Sequence, residues 1–254
     1  MDLAFVALGL LVGTLVGMTG VGAGSLVTPA LALSGVPPAV AIGTDLAYAA
    51  ASKTVGAFTH RYQRSLDLRI AALLALGSVP ASVLTIAFLA VHGVRNSILN
   101  AALALALILT ASVLLVGRAR FQGLAARYEG RIHDVRLPLT IAAGVVLGVL
   151  VSLSSVGAGA LGAVMLVALY PRLPAMSVAG TDIAHAVPLT LVAGLGHLWL
   201  GHVDFALAAN LLAGSVPGII AGSLLAGRMP DALVRRVLGC VLLYAGARLG
   251  LGVI

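Results

Sequence analysis

Val21-Gly22-Ala23-Gly24 and Val156-Gly157-Ala158-Gly159 decide the fold of this chain, because each is a glycine turn inside a long apolar stretch. They stand 135 residues apart, and a matching train of residues follows each. Gly43-Thr44-Asp45 recurs as Gly180-Thr181-Asp182, His60 as His197, and Asp67 as Asp204. Gly77-Ser78-Val79-Pro80 recurs as Gly214-Ser215-Val216-Pro217. These later matches share an offset of 137, so a two-residue insertion separates the two registers. The chain reads as one unit of about four hydrophobic segments, duplicated. Interrupted helices at equivalent places in a duplicated bundle are the pattern expected of a secondary transporter.

Composition places the unit in a membrane. The 254 residues are 61% hydrophobic and 9% charged, with a mean hydropathy of +1.14. Apolar stretches of about 18 residues or more, the length that crosses a hydrocarbon core, recur throughout. The expectation is an all-α polytopic protein. Leu3 to Thr19 lacks a basic leader and a clear cleavage site, so it reads as a retained segment and not a removed signal peptide. The formal charge of +7 is no nucleic-acid signature, since the arginines lie in short loops between apolar spans. Arginine outnumbers lysine 14 to 1, a bias that points to a GC-rich bacterial genome and hence the inner membrane. Cys240, the lone cysteine, reads as a small core residue.

The segments run 3–34 (interrupted at 20–24), 38–58, 69–91 and 96–117, then 137–170 (interrupted at 156–159), 174–198, 205–226 and 232–253. Residues 1–117 form the first repeat, 118–136 a linker loop and 137–254 the second repeat. The loop arginines choose between two topologies. If each interrupted segment folds back as a re-entrant hairpin, the repeats are inverted. Twelve arginines then lie inside, and only Arg95 and Arg248 lie outside. If each crosses once, the repeats are parallel and the split is nine to five. The inverted arrangement follows, with the central loop cytoplasmic and both termini outside. Residues 24–34 make a helix of only about 16 Å, too short to span but able to start deep in the bilayer and return.

Candidate site residues follow from what is costly at that depth. A backbone break inside a membrane is tolerated only where it packs in protein or lines a polar cavity. The half-helix after each break offers unpaired N–H groups and a partial positive charge. Two such ends meeting near the midplane would hold an anion, or would simply pack closely. This singles out Gly22, Gly24, Ser25, Gly157 and Gly159. Asp45 and Asp182 lie deep within their segments, with Thr44 and Thr181 before them, Tyr48 and His185 three residues on, and Lys53 in the first segment only. Ionisable groups there are functional candidates; a static polar network is the alternative. Since a single lysine leaves one carboxylate unpaired, either one aspartate would exchange a proton or cation, or His185 would be charged. Asp67 and Asp204 read as helix N-caps. His60 and His197 read as interfacial residues before metal ligands. Nothing in the sequence calls for a metal or cofactor, and there is no phosphate-cradling loop through which ATP would drive the chain.

The ordered set in both halves, from the glycine-rich Gly13–Gly24 through Gly43-Thr44 and His60-Arg61-Tyr62 to Asp67, resembles the TauE/SafE family of sulfite and organosulfur anion transporters, also called the toluene-sulfonate uptake permease family. Where many members carry serine after the Gly-Thr pair, this chain has Asp45 and Asp182. The resemblance implies a multi-pass transporter of a small sulfur-containing or organic anion that works without ATP. It implies that Gly22, Gly24, Ser25, Gly157 and Gly159 line the site, beside Thr44, Asp45, Thr181 and Asp182. The expected partners are that anion and the lipid bilayer, with no nucleic acid; a homo-oligomer is open. A passive anion channel and an intramembrane enzyme using His185 and Asp182 are the alternatives.

Overall fold

The computed structural model describes residues 2–19, 24–62, 66–93, 95–117, 120–123, 125, 127, 134–225 and 231–251. The first half comprises α1 (Leu3–Thr19), α2 (Gly24–Leu33), α3 (Pro38–Tyr62), α4 (Leu68–His92) and α5 (Asn96–Val116). The second comprises α6 (Arg136–Ser154), α7 (Ala160–Leu169), α8 (Ala175–Trp199), α9 (Phe205–Leu225) and α10 (Asp231–Gly250). Among the described residues, α4, α5, α6, α8 and the Phe205–Gly222 part of α9 are long and apolar enough to cross a membrane. Leucines and valines cover the outside of these helices as well as the inside: Leu84 and Leu224 are exposed while Leu74 and Leu211 are buried. Helices apolar all round are what a hydrocarbon solvent selects.

The two halves pack on each other by exchange. A methyl group added at Gly77 of α4 would overlap the Ile141 carbonyl of α6, and one at Gly214 of α9 would overlap the Val6 carbonyl of α1. The two contacts correspond residue for residue, so α4 meets α6 as α9 meets α1. Absence of a side chain lets the backbones approach this closely. Along both pairs the numbering rises together: Gly9 meets Leu211 and Gly13 meets Ser215, while Gly144 meets Leu74 and Gly148 meets Ser78. These pairs therefore run parallel. Two further pairings join a helix to its own counterpart. Gly43 of α3 lies against His202, just past α8, and Gly194 of α8 meets Leu46 and Ala47 of α3, while Gly239 and Gly246 of α10 meet Leu115 and Ile108 of α5. Here the numbering runs oppositely, so α3 and α8 are antiparallel, as are α5 and α10.

The glycine break of the second half folds the chain back. α6 ends with Ser155 in the left-handed conformation, φ 57°. Gly157 and Gly159 follow at φ 124° and 140°, a region open to glycine at little cost. α7 then returns to the end where α6 began. Arg136, at the start of α6, lies over the ring of Tyr170, just past α7. Thr140 Oγ1 lies 2.9 Å from the Tyr170 hydroxyl. In the first half the turn at 20–23, including Gly22, lies outside the described residues.

Two expectations change. Cys240 is exposed, because it lies on the face of α10 turned away from the one buried at Leu238, Leu242 and Ala245. His197 is fully buried, because its ring turns inward to donate to the Ser152 carbonyl of α6. The side chain of His60 lies outside the described residues.

Candidate functional site

Asp45 and Asp182 are the eighth residues of α3 and α8, helices that match end for end at an offset of 137. Both carboxylates are buried, at 0% and 3% exposure. Each lies inside the bundle where a short helix, α2 or α7, comes in beside it. Thr28 of α2 donates to Asp45 Oδ2 at 2.5 Å. On the other side, Gly162 of α7 lies so close to the Asp182 carboxylate that a methyl there would overlap Oδ1. Each short helix thus begins about halfway along the long helix it accompanies. The first N–H groups of such a helix have no carbonyl partner within it.

The second break also reaches across to the first half. Ser155 Oγ donates to Asp45 Oδ2 at 2.9 Å. Lys53 Nζ donates to the Ala158 carbonyl at 2.7 Å, and its charge interacts with both Asp45 and Asp182. The turn 155–159 of one half is therefore tied to the charged helix of the other. Lys53 and its neighbour Ser52 are not sealed: Lys53 is half-buried and Ser52 exposed, midway along α3.

The remaining polar residues stitch the halves together in matched pairs. The Asp204 N–H donates to Thr44 Oγ1 at 3.0 Å, and the Asp67 N–H donates to Thr181 Oγ1 at 3.0 Å. Asp67 and Asp204 cap α4 and α9, accepting from Ile70 N and Leu207 N. Tyr48 donates to Ser215 Oγ at 3.1 Å. His185 Nε2 lies 2.9 Å from Ser78 Oγ. Tyr48 and His185 thus reach the serine before the proline of α9 and α4, the same position in each half. His197 Nε2 donates to the Ser152 carbonyl at 2.9 Å, so its Nδ1 accepts from His202 Nδ1 at 3.2 Å.

The two carboxylates are equivalent in position and unequal in chemistry. Asp45 Oδ2 has two hydroxyl donors, whereas Asp182 Oδ1 and His185 Nδ1 are buried with no hydrogen-bond partner, as is Asp45 Oδ1. The sequence accounts for the difference. Ala163 stands where the first half has Thr28, and Gly20 where the second half has Ser155. Lys53 likewise has Thr190 as its counterpart, and that hydroxyl is spent on the Ala186 carbonyl at 2.8 Å. A buried carboxylate without donors needs a proton, a cation or a counter-charge to be tolerated.

Of the residues singled out from sequence, the structure brings Thr44, Asp45, Lys53, Gly157 and Gly159 to one region, with Thr181, Asp182 and His185 in the matching one. Ser25 is buried near the start of α2. Thr28 and Ser155 were not singled out. Ser155 is legible in hindsight as a polar residue beside the glycine turn. Thr28 could be found only by knowing that α2 runs back along α3.

The chain matches the family described as sulfite exporter TauE/SafE over residues 5–249. A protein named as the probable membrane transporter protein YjnA, of Bacillus subtilis (strain 168), is 37% identical over 254 residues, covering 98% of this chain and 100% of that protein. No solved structure matches significantly. A hairpin turn fastened to a charged helix inside an apolar bundle, together with this match over nearly the whole chain, places the protein among membrane transporters and not enzymes: it belongs to the sulfite exporter TauE/SafE family.

Proposed function

We propose that this protein is a secondary transporter that moves a small sulfur-containing or organic anion, such as sulfite or a sulfonate, across a bacterial inner membrane, coupled to a proton or cation. The observation that carries this reading is the tie between the 155–159 turn and α3 through Asp45 and Lys53. It sets the start of α7 and a cation at the turn that holds the buried Asp45 carboxylate. The half-helix ends at Gly24-Ser25 and Gly159-Ala160, with Lys53, would meet the anion's charge. Asp182, which lacks donors, is the group assigned to carry the coupling proton or cation. Asp45, held by two hydroxyls, is assigned a structural role. Thr44 and Thr181 would serve the site through the helix starts they hold.

The halves are read as inverted in the bilayer. The antiparallel pairing of α3 with α8 and of α5 with α10 supports this, since an axis relating antiparallel spans lies in the membrane plane. The fold-back of α6 onto α7 supports a re-entrant hairpin, with the central loop cytoplasmic. Alternating access would rock one half against the other about the matched hydrogen bonds. The test is flux of sulfite and short sulfonates in proteoliposomes with an imposed pH gradient. Accumulation that follows the gradient is expected. Flux indifferent to it would leave a passive channel, and no flux of any small anion would remove the reading.

A further inference from the structure

One cavity of about 570 Å³ opens at the end of the bundle where α4 and α6 begin. Its walls include Arg69, Arg136 and Arg172, with Asp67, Tyr170 and Ile70. Three guanidinium groups and one carboxylate stand in its lining, and that carboxylate is engaged by its own helix through Ile70 N. The arginines come from three separate places in the chain. Arg136 lies 5.2 Å from the centroid of the Tyr170 ring, a stacking contact that restricts it. The turn that carries Arg172 is pinned where Gln122 of the central loop donates to the Pro171 carbonyl at 2.9 Å. Arg69 lies in the first turn of α4, behind the Asp67 cap.

The equivalent positions of the other repeat carry no such cluster. By the repeat register, Arg69 corresponds to Ala206 and Arg136 to Met1, and no residue from 34 to 38, the counterpart of the Arg172 turn, is charged. The charge is thus an addition to the duplicated plan and not a consequence of it. The cavity also abuts the core, because the Asp67 N–H on its wall is bonded to Thr181, next to Asp182. A concave site with excess positive charge and apolar walls concentrates anions. Guanidinium forks match oxyanions with two or more acceptor oxygens better than they match halides.

We propose that this cavity is an oxyanion-binding vestibule, specific to one face of the protein, that takes a tetrahedral or pyramidal dianion of the sulfate or phosphate type. The ligand chemistry is shared by a free dianion and by the phosphate of an anionic lipid headgroup. The vestibule stands outside the core site and does not depend on which anion crosses it.

The experiment titrates the full-length protein in nanodiscs of zwitterionic lipid with inorganic sulfate, inorganic phosphate and chloride, read by calorimetry. Saturable binding of sulfate and phosphate, and much weaker binding of chloride, is expected. Arg69→Gln and Arg172→Gln, both on exposed side chains, should each weaken binding by about tenfold and together by about a hundredfold. Arg136→Lys keeps the charge and loses the fork, and should also cost about tenfold. Discs containing phosphatidylglycerol separate the two sources. If the headgroup occupies the cavity, sulfate affinity falls in those discs and recovers with delipidation. If a free dianion is the ligand, affinity is the same in both lipids. Either result upholds the vestibule. Failure of sulfate and phosphate to saturate, or affinity unchanged in the correctly folded double variant, overturns it. Wild-type protein that binds sulfate in this cavity but moves no anion would sink the transport reading and leave the vestibule standing. Flux without sulfate binding would do the reverse.

Discussion

Asparagine at Asp45 should lower stability and at Asp182 should not, although the two positions are equivalent in the repeat. Asp45 accepts from Thr28 and Ser155. Hydrogen bonds to a charged group contribute about 1.5–3 kcal/mol each and neutral ones about 0.5–1.5. Converting both from charged to neutral costs about 2–3 kcal/mol. At about 2–4 °C per kcal/mol for a chain of this size, Asp45→Asn should lower Tm by roughly 4–12 °C. Asp182 Oδ1 has no donor to lose, so Asp182→Asn removes a burial cost and should leave Tm unchanged or raise it. Thermal unfolding of both variants in one detergent measures the difference. Flux under a pH gradient supplies the functional half: Asp182→Asn should lose its response to the gradient while keeping anion exchange. A larger drop in Tm for Asp182→Asn than for Asp45→Asn would refute the reasoning, because it would mean that Asp182 is the carboxylate with structural partners.

Further outcomes follow from the paired contacts. Thr44→Val and Thr181→Val each strip the acceptor from a part-buried N–H, so each should cost about 1–3 kcal/mol, and by nearly equal amounts in the same unfolding assay. Gly77→Val and Gly214→Val would drive a side chain into a backbone carbonyl of the neighbouring helix. Both should cut the recovery of monodisperse protein on size exclusion severely, whereas Gly123→Val, with nothing near it, should not. In a Cys240→Ser background, cysteines at Gln122 and Pro174 should be labelled by an impermeant thiol reagent from one side of the membrane and a cysteine at Leu200 from the other; labelling of Gln122 and Pro174 from opposite sides would return the parallel topology. His202, in the loop after α8, has its pKa lowered by burial. Its contribution to stability is therefore full above its unfolded value near 6.5 and declines as pH falls below that. His202→Gln should flatten that acid limb of the Tm profile.

Much of the architecture was legible because the same signals occur twice. Runs of leucine and alanine of membrane length fixed the helices, and the echo of Gly43-Thr44-Asp45 in Gly180-Thr181-Asp182 fixed the register. The segment expected at 38–58 continues to Tyr62, since nothing in Thr59-His60-Arg61 breaks a helix. Asp67 and Asp204 were recognisable as caps from an acidic residue ahead of an apolar run. Partnership across the halves was not legible. Sequence spacing puts Tyr48 on one face with Asp45, but only the packing of α3 against α9 sends its hydroxyl to Ser215. His197 reads as an end residue by position, yet the carbonyl that draws it inward, Ser152, lies 45 residues earlier. The unequal surroundings of Asp45 and Asp182 needed both facts together: the repeat register, which is in the sequence, and the fold-back of α7 and α2, which is not.

The exchange of partners between halves has a cost in time during biosynthesis. α1 packs against α9, and Thr19 and Phe205 are 186 residues apart. At about 5–20 residues per second, translation leaves the first helix waiting roughly 10–40 s for its mate. Throughout that interval the grooves at Gly9 and Gly13 face lipid or the insertion machinery. Translation must run through α9 before α1 has its matching glycine seam to dock against. Fragments released early would carry an unmatched glycine seam, the surface on which quality-control proteases could discriminate finished molecules from aborted ones.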